Sequence, residues 1–495
     1  MKLSQILSQV KTDFSLPKGA LIDSITIEDI AIDSRLVKKN SVFFALPGKI
    51  NDGSKFIASA LANGAAITIA ENDENSIKSS NPFQLLVEFL QIFYAPLPAN
   101  IYAITGTNGK TSTAEFTRQI LQFLGKKSAS VGTLGVMCDD EIKDHLQNSS
   151  LTTPDIVSLY KNLYNLKKFA VDDVALEVSS IGLEQGRIAG LKIDVGAFTN
   201  FTQDHLDYHK SMAEYFRCKM ILFSNVLQKN GSAVLNSDLE GFAQIKKICV
   251  EKKYNIIEYG FKAGELRLQK IEQIENGQKV FFEFRQKNYQ FELSVSGDFQ
   301  VFNALCALGN VLTKYNLTEL QLQNILPNFN QLQPALGRMQ RVAILPNQAQ
   351  VFIDFAHSPD ALINVLKLAH QITNQIRGGR VLVLFGCGGD RDAKKRPIMG
   401  GIANELADFV IVTDDNPRNE KAENIRAEIL TYCDKTKTVE INNRKTAIET
   451  ALTMLQPNDI LILAGKGHEK YQIIGATKFE FDEESIVKNA LKKSS

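Results

Sequence analysis

The chain has 495 residues and no tryptophan, and its six cysteines are scattered without a Cys-x-x-Cys pair. This spacing argues against a zinc site or a dense disulfide framework and is typical of reduced thiols. No apolar run approaches the roughly 20 residues of a membrane-spanning helix, and the N-terminus lacks the apolar core and cleavage site of a secretory signal. We therefore expect a cytoplasmic protein that is not embedded in a membrane.

The sequence also lacks an excess of charge of either sign. It contains 56 Lys and Arg residues against 55 Asp and Glu residues, which gives a net charge of +1. This balance argues against a bulk nucleic-acid binder, which usually carries a strongly basic surface. A hydrophobic content of 44% and a charged content of 22% are typical of a globular protein, and the length predicts about three domains.

The most informative segment is Ile101-Tyr-Ala-Ile-Thr-Gly-Thr-Asn-Gly-Lys-Thr-Ser112. It predicts a strand, a glycine loop and the start of a helix, which together form a cradle for phosphate. Lys110 would supply a point charge, and the hydroxyl of Thr111 could hold Mg²⁺. The loop departs from the P-loop pattern, because Ile104 occupies the place of the first glycine. We nevertheless predict that the chain binds a nucleoside triphosphate.

Two proline-containing stretches, 94–100 and 331–337, divide the chain into predicted domains at residues 1–98, 99–334 and 335–495. Short apolar runs alternate with helical patterns in the second and third domains, which indicates mostly parallel sheets. The expected fold class is α/β, with a small N-terminal α/β domain, a central P-loop ATPase-type parallel sheet and a C-terminal Rossmann-like parallel sheet. Residues 266–296 alternate polar and apolar, which predicts antiparallel strands inserted beside the central sheet.

Three ionisable side chains in the middle of the chain are candidates for the chemistry of the site. Glu177 lies in an apolar run, where a carboxylate is costly unless it is paired or bound to a metal; it could instead face water from an edge strand. His205 follows a predicted strand and is a better candidate ligand than His209. Lys219 lies on an apolar helix face, where burial would leave a neutral amine able to form a carbamate. From the residues alone, we favour another interpretation of Lys219, in which its aliphatic part packs on the apolar face and its ammonium group reaches solvent.

Four predicted strands in the C-terminal part end in polar or glycine-rich loops at 356–360, 386–392, 414–418 and 464–469. Ligands of open parallel sheets bind at these strand ends, so we predict a second ligand site on a separate domain. Arg391 and Arg418 suit carboxylates, and Glu469 suits an ammonium group. Together they would suit an amino acid with extra charge.

Taken together, the motifs resemble those of the Mur ligases, ATP-dependent amide-bond-forming enzymes of bacterial cell-wall synthesis. The resemblance covers essentially the whole chain and is strongest to the members that add the third peptide residue. Its marks are Asp33-Ser-Arg35, Gly106-Thr-Asn-Gly-Lys-Thr-Ser112, Thr152-Thr-Pro154, Glu177-Val-Ser-Ser180, Asp204-His-Leu-Asp-Tyr-His209, Ala356-His-Ser-Pro-Asp360, Gly386-Cys-Gly-Gly-Asp-Arg391, Asp415-Asn-Pro-Arg418 and Gly465-Lys-Gly-His-Glu469.

The resemblance implies that ATP phosphorylates a UDP-N-acetylmuramoyl-L-alanyl-D-glutamate carboxylate, which the amine of meso-diaminopimelate then attacks. The three domains would bind the UDP end, ATP and the amino acid, respectively. It implies Lys110, Glu177, His205 and carbamylated Lys219 as catalytic residues, and Thr111, Glu177, His205 and Lys219 as Mg²⁺ ligands. The implied ATP-binding residues are Gly106, Thr107, Asn108, Gly109, Lys110, Thr111, Ser112, Asn303, Arg338 and Asp354. Those for the UDP-muramoyl-dipeptide are Ile32, Ser34, Lys49, Ile50, Asn51, Thr152, Thr153, Ser179, Gln185 and Arg187. Those for diaminopimelate are Arg391, Asp415, Asn416, Pro417, Arg418, Gly465 and Glu469.

Gln203, Gln300 and Gln340 depart from the family pattern and weaken individual assignments near them. Three alternatives stay open: a lysine-adding Mur ligase, a ligase like folylpolyglutamate synthase, and a nucleotide-regulated binding protein without turnover. The Asp-Asn-Pro-Arg loop argues against the first two, and the intact Lys110 and Glu177 argue against the third. We expect a monomer with no nucleic-acid or membrane partner.

Overall fold

The computed structural model describes residues 1–48, 52–147, 149, 151–206, 208–274, 277–295, 297–375 and 378–494. Within these ranges the strands form three larger sheets and one hairpin, and helices cover the sheets. This arrangement confirms the predicted α/β fold class. None of the described helices is long and apolar enough to cross a membrane.

The first sheet is parallel and lies near the N-terminus. Its strands are β1 Asp29–Ala31, β2 Ser41–Phe44, β3 Ala65–Ala70 and β4 Ile77–Lys78, paired in that order. The helices are α1 Leu3–Leu7, α2 Ile57–Ala62 and α3 Pro82–Phe93, with 3-10 turns at Ser34–Leu36 and Gly53–Phe56. α3 begins where the side chain of Asn81 caps the N–H of Gln84, and it buries one apolar face against this sheet.

The central sheet is the largest. Its strands are β5 Asn100–Thr105, β6 Ser128–Gly132, β7 Gly135–Met137, β8 Asp173–Glu177, β9 Ile193–Phe198, β10 Leu227–Asn236, β11 Asn255–Gly260, β12 Leu266–Ile274, β13 Gly277–Phe284 and β14 Lys287–Leu293. They lie in the order β14-β13-β12-β11-β10-β9-β5-β8-β6-β7. The helices are α4 Lys110–Phe123, α5 Asp140–Lys143, α6 Ile156–Lys168, α7 Ser180–Glu184, α8 Met212–Ile221, α9 Phe242–Glu251, α10 Asp298–Lys314 and α11 Glu319–Ile325, with a π-helical turn at Leu222–Val226 and a 3-10 turn at Leu326–Gln331.

The middle strands of this sheet are buried on both faces, as their apolar sequences predict. All five residues of β8 are buried, and β8 lies between β5 and β6. Because β5, β8 and β9 are parallel, their carboxyl ends meet at one edge of the sheet. The phosphate loop, Glu177 and the 199–209 loop therefore emerge side by side.

The segment 266–296 contains the predicted antiparallel strands, but they extend the sheet rather than lie beside it. β12, β13 and β14 pair antiparallel with one another, while β12 pairs parallel with β11 through Tyr259–Leu266 and Gly260–Arg267. The polar–apolar alternation fits an edge with one face in the core and the other open.

The third sheet contains the four predicted strands as parallel neighbours. Its strands are β15 Gln340–Ile344, β16 Gln350–Asp354, β17 Val381–Phe385, β18 Phe409–Val412, β19 Thr438–Glu440 and β20 Ile460–Ala464, in the order β15-β16-β20-β17-β18-β19. The remaining elements are α12 Pro359–Gln375, α13 Lys395–Leu406, α14 Ala422–Leu430, α15 Arg444–Thr453, α16 Glu483–Ser494 and the hairpin β21 Tyr471–Ile474 and β22 Thr477–Glu480. The edge strands β15 and β19 were not predicted, because they are short and only partly buried. The exact domain boundaries stay predictions.

Candidate active site

The phosphate loop between β5 and α4 is tightly packed. Gly106 and Gly109 have φ angles of +149° and +80°. A Cβ atom at Gly106 would lie 2.0 Å from Thr199 Oγ1, and one at Gly109 would lie 2.4 Å from Asn303 Oδ1, so glycine is needed at both positions. Because α4 begins at Lys110, its free N–H groups and positive end face the loop. This is the predicted geometry for binding phosphate.

Lys110 folds back over the phosphate loop. Its Nζ donates hydrogen bonds to the carbonyls of Gly106 at 2.9 Å and Thr107 at 2.7 Å. Burial lowers the pKa of Lys110, and the nearby Glu177 opposes that shift. The ammonium group therefore lies over the loop that would hold a triphosphate.

Glu177 ends β8 and is 1% exposed, so its interpretation as a water-facing glutamate on an edge strand is wrong. Its carboxylate accepts hydrogen bonds from Thr111 Oγ1 at 2.9 Å, from Thr133 N at 2.9 Å and from Thr133 Oγ1 at 3.1 Å. A Cβ atom at Gly132 would lie 2.0 Å from Glu177 Oε1. Burial raises the pKa of Glu177, which means that a nearby cation would stabilise its ionised form.

Lys219 is also 1% exposed, so the interpretation in which its ammonium group reaches solvent is wrong. Its Nζ donates to the Gly106 carbonyl at 2.7 Å and lies 4.4 Å from the centre of the Tyr215 ring. Burial, together with the positive charge of Lys110, lowers the pKa of Lys219 well below its usual value. A neutral amine directly beneath the phosphate loop meets the chemical requirement for a carbamate.

The 199–209 loop brings Asp204 and His205 towards the third sheet. The buried Asp204 carboxylate lies 3.7 Å from Nε2 of His205, 3.7 Å from Nε2 of His357 and 3.9 Å from Nζ of Lys395. Burial lowers the pKa of His205 to about 4, so its imidazole is neutral at physiological pH and can act as a ligand. His209 is instead buried, with Nε2 2.8 Å from Ser180 Oγ.

One cavity of about 410 Å³ lies beside the phosphate loop. Three residues assigned to ATP from outside the loop, Asn303, Arg338 and Asp354, all line it, as do Asn108, Gly109, Thr111 and Ser112. It is closed further by side chains that the sequence did not single out: Asn236, Asp238, Tyr259, Phe299 and Phe302. Such a cavity, with aromatic walls and a phosphate loop at one end, suits a nucleoside triphosphate.

A second cavity, of about 460 Å³, joins the phosphate loop to the third sheet. From the central sheet it is lined by Thr107, Lys110, Thr111, Thr152, Glu177 and His205, and from the third sheet by Arg391, Asp415, Asn416, Arg418, Gly465 and Glu469. The predicted second ligand site is therefore continuous with the phosphate site. The carboxyl ends of both sheets face this space.

Hydrogen bonds fix the loops that were assigned to diaminopimelate. The side chain of Asn416 links three segments by hydrogen bonds. Its Oδ1 accepts from Lys466 Nζ and Ile473 N, both at 3.0 Å, and its Nδ2 donates to Glu469 Oε2 at 2.9 Å. Pro417 packs with its carbonyl against the neighbouring glycine loop and is absent from the described lining of the cavity. Of the assigned set, Asn416 therefore organises the site through its side chain and Pro417 through its backbone.

Charged groups of both signs face the second cavity from these loops. Arg418 Nη1 donates to the Gly389 carbonyl at 2.8 Å, and burial, together with the nearby Arg391, lowers the pKa of Arg418. Asp415 is buried, and its Oδ1 lies 3.4 Å from Lys466 Nζ without a hydrogen bond among the described residues. Two guanidinium groups and two carboxylates suit a zwitterionic ligand with extra charge.

The residues assigned to the dipeptide form a connected polar network. Thr153 Oγ1 donates to the Glu177 carbonyl at 3.1 Å and accepts from Ser179 N at 2.9 Å. Arg187 Nη1 donates to the Thr153 carbonyl at 2.7 Å, and its Nη2 donates to Gln185 Oε1 at 2.7 Å. Among this group, Thr152 lines the second cavity. Thr153 therefore joins the network to the backbone of Glu177.

Of the residues assigned to the UDP-muramoyl-dipeptide, Ile32 and Ser34 lie beside the first sheet. Ile32 and Ser34 follow β1, and Ser34 is buried with its carbonyl accepting from Asn63 Nδ2 at 2.8 Å. Three more residues of this set, Lys49, Ile50 and Asn51, lie outside the described residues. A cavity of about 420 Å³ is lined by residues on both sides of that segment, including Pro47 and Asp52.

The donor set at the phosphate loop fits a hard divalent cation. No group of three or more His, Cys, Asp or Glu side chains arranged for a metal is found among the described residues. Mg²⁺, however, needs few protein carboxylates when it binds together with a triphosphate. The hydroxyl of Thr111 and the buried carboxylate of Glu177 are 2.9 Å apart, and the amine of Lys219 lies under the same loop.

At the junction of the central and third sheets, the sequence analysis missed Asp360 and the contacts that Asn108 and Arg338 make there. Asn108 Nδ2 donates to Asp360 Oδ2 at 2.8 Å, and Arg338 Nη2 lies 3.4 Å from Thr111 Oγ1. Asp360 belongs to the Ala-His-Ser-Pro-Asp motif, which marked this segment without giving any residue in it a role. Two departures from the family pattern also have clear contacts. Gln300 Oε1 accepts from Asn303 Nδ2 at 3.1 Å, and Gln340 Oε1 accepts from Gly337 N at 3.1 Å.

A phosphate loop that shares its cavity with the loops at the carboxyl ends of the third sheet fits the class of α/β ATP-dependent ligases. Family profiles described as "Mur ligase family, catalytic domain", "Mur ligase middle domain" and "Mur ligase, glutamate ligase domain" match residues 26–98, 104–311 and 337–467. The chain belongs to the Mur ligase family.

Curated relatives match nearly the whole chain. The UDP-N-acetylmuramoyl-L-alanyl-D-glutamate–2,6-diaminopimelate ligase of Rickettsia montanensis is 38% identical over 474 residues, which cover 94% of this chain and 96% of that protein. The ligase of the same name from Chelativorans sp. (strain BNC1) is 40% identical over 481 residues, covering 96% and 97%. A solved structure of a ligase with that name has a TM-score of 0.66 and 29% identity, covering 100% of this chain and 99% of that one.

Proposed function

We propose that this chain is the ATP-dependent ligase that adds meso-diaminopimelate to UDP-N-acetylmuramoyl-L-alanyl-D-glutamate in peptidoglycan precursor synthesis. The observation that carries this proposal is the second cavity, in which Lys110 and Glu177 share one space with Arg391, Arg418 and Glu469. A phosphoryl donor, a carboxylate and an amino acid can meet only where such a space is continuous.

The reaction has two steps. ATP transfers its γ-phosphoryl group to the side-chain carboxylate of D-glutamate, which gives an acyl phosphate and ADP. The amine of diaminopimelate then attacks the acyl carbon, an amide bond forms, and phosphate leaves. The first step brings two anions together, so Lys110 and the positive end of α4 would offset their repulsion.

Mg²⁺ would be held by Thr111, Glu177, His205 and carbamylated Lys219, directly or through water. When bound, it would neutralise charge on the phosphate oxygens. The raised pKa of the buried Glu177 supports this assignment, because a carboxylate in that position requires a cation to remain ionised. The buried amine of Lys219, with its lowered pKa, supports the carbamate, since only a neutral amine reacts with carbon dioxide.

Diaminopimelate would lie against the loops of the third sheet. Arg418 and Arg391 would pair with its carboxylates, and Glu469 and Asp415 would face an ammonium group. Asn416, held by Lys466, would keep Glu469 in place. The reacting amine must lose its proton before it attacks. An enclosed site would also protect the acyl phosphate from water.

The muramoyl-dipeptide would run from the first sheet, near Ser34, to Thr152 at the second cavity. The network of Thr153, Ser179 and Arg187 lies directly beside Glu177, which supports a role in placing the D-glutamate carboxylate near ATP. We further propose a monomer in the cytoplasm, where ATP and a nucleotide-linked precursor are available.

The test is phosphate release from ATP by the purified chain, with each substrate omitted in turn. We expect release only when the UDP-linked dipeptide and diaminopimelate are both present. Turnover with a folate and glutamate would favour a folylpolyglutamate synthase-like ligase, and preference for lysine would favour a lysine-adding enzyme. Nucleotide binding without turnover under any of these conditions would leave only a binding protein.

A further inference from the structure

Arg396, in the first turn of α13, is 1% exposed and is absent from the described lining of both cavities at the active site. Its Nη1 and Nη2 donate to the two carboxylate oxygens of Glu420 at 2.9 and 2.8 Å, and Nη2 also donates to the Gly388 carbonyl at 3.3 Å. A bidentate pair of this kind fixes both position and orientation. Arg396 therefore joins the loop after β17 to the loop after β18.

Glu420 contacts the loop after β17 a second time, because its Oε1 accepts a hydrogen bond from the N–H of Asp390. Arg418 Nη1 closes the other end of the same connection by donating to the Gly389 carbonyl at 2.8 Å. Arg391 directly follows Asp390 in the chain, and Arg418 lies two residues before Glu420. Arg391 and Arg418, which line the second cavity, therefore each lie close to a hydrogen bond that joins the two loops.

The hydrogen bonds of Arg396 and Glu420 hold the two loops together against the repulsion between Arg391 and Arg418. Arg391 and Arg418 bring like charges into one cavity, and their repulsion favours separation of the loops. The hydrogen bonds from Arg396 lower the pKa of Glu420, so the Arg396–Glu420 pair remains charged at neutral pH. Arg396 is buried and Glu420 is half-buried, so this charged, bidentate pair can hold the loops together where fully exposed contacts would be weak.

We propose that Arg396 and Glu420 are positioning residues that set the spacing of Arg391 and Arg418 for the carboxylates of the amino-acid substrate. The proposal rests on the proposed function, since it assigns these arginines to diaminopimelate. The pair acts through the two arginines and does not touch substrate. Its loss should therefore weaken the use of the amino acid while leaving the nucleotide and dipeptide sites unchanged.

The test measures phosphate release while each of the three substrates is varied in turn. Glu420→Gln keeps the shape of the side chain and removes its charge, and Arg396→Lys keeps a charge but loses the planar fork. A small displacement of binding groups can cost about 100-fold, so we expect either variant to raise KM for diaminopimelate by about 10- to 100-fold. KM for ATP and for the UDP-linked dipeptide should not change.

Two control variants separate positioning from general stability. Glu428→Gln removes another partner of Arg396, at 3.0 Å, that lies on α14 outside both loops. Arg380→Gln breaks the pair between Arg380 Nη2 and Asp459 Oδ2, 2.7 Å apart at the opposite end of the same sheet. Both should keep the wild-type KM for diaminopimelate, even if their melting temperatures fall.

The outcomes distinguish this inference from the proposed function. An unchanged KM for diaminopimelate in folded Glu420→Gln or Arg396→Lys, with an active wild type, would overturn the positioning role alone. Equal rises in all three KM values would overturn it as well, because they would indicate a general structural defect. If the wild type itself released no phosphate in response to diaminopimelate, the proposed function would fail and this role with it. Circular dichroism and ATP binding would establish that each variant is folded.

Discussion

Replacing Arg418 with alanine removes the guanidinium group that we assign to the far carboxylate of diaminopimelate. Its Nη1 is held by the Gly389 carbonyl at 2.8 Å, and the side chain lines the second cavity. Hydrogen bonds to charged groups contribute about 1.5 to 3 kcal/mol each, so a two-point contact contributes about 3 to 6 kcal/mol. With about 1.4 kcal/mol for each factor of ten, the variant should lose at least about 100-fold in kcat/KM for diaminopimelate.

The assay compares kcat/KM for meso-diaminopimelate and lysine in the wild type, Arg418→Ala and Arg418→Lys. Lysine lacks the second carboxylate and would leave the guanidinium unpaired, so the wild type should favour diaminopimelate by roughly 10⁴-fold. Arg418→Ala should narrow this preference to about 100-fold or less, since lysine loses no contact. Arg418→Lys keeps a charge without the fork and should lie between the two.

The backbone conformation of residue 418 affects Arg418→Ala and Arg418→Lys equally. Arg418 has a φ angle of +51°, a left-handed conformation that alanine and lysine would adopt at similar cost. A difference in kcat/KM between Arg418→Ala and Arg418→Lys therefore reflects the charged group at the end of the side chain. The assignment would be wrong if the wild type used lysine as well as diaminopimelate, or if Arg418→Ala kept the wild-type preference.

Three further predictions concern the phosphate loop and the buried bases. Lys110→Ala should abolish phosphate release while the protein remains folded, because the loop loses its point charge; residual turnover near the wild-type rate would contradict this role. Removing carbon dioxide and bicarbonate should lower activity, and adding bicarbonate should restore it, if Lys219 carries a carbamate. A bare amine on Lys219 in high-resolution density of the active, Mg²⁺-bound enzyme would argue against that modification. Burial lowers the pKa of His468 from 6.5 to about 4. Between these two pH values the unfolded chain binds a proton at His468 that the folded chain does not. The free energy of unfolding therefore falls as the pH drops from about 6.5 to about 4. His468→Gln should reduce that fall by about 1 to 2 kcal/mol, measured by urea denaturation at several pH values; an identical pH dependence would contradict the shift.

The local chemistry of the phosphate loop could be predicted from the sequence. Four apolar residues, two glycines and Lys110 specify a strand, a turn with positive φ and a helix start, because each conformation depends on neighbouring residues. The parallel strands of the third sheet were predicted for the same reason. Their apolar runs fit burial on both faces, whatever strand lies next to them.

The environment of Glu177 and Lys219 depended on the tertiary structure. Each had two readings from the sequence, because local pattern cannot distinguish an edge strand from a central one or an exposed helix face from a covered one. Pairing of β8 between β5 and β6 buried Glu177, and packing of α8 against the phosphate loop buried Lys219. Burial is a property of the neighbours, and here those neighbours are distant in the chain.

The junction of the two larger sheets was also decided only in three dimensions. The motifs on the third sheet predicted a separate ligand site, yet the structure joins it to the phosphate loop in one cavity. The contacts that join them, Asn108 with Asp360 and Asp204 with Lys395, link residues more than 150 positions apart. The sequence by itself therefore determined which groups are available for chemistry. Only long-range packing determined which of them share one cavity, because proximity between distant segments is set by how the sheets and helices pack.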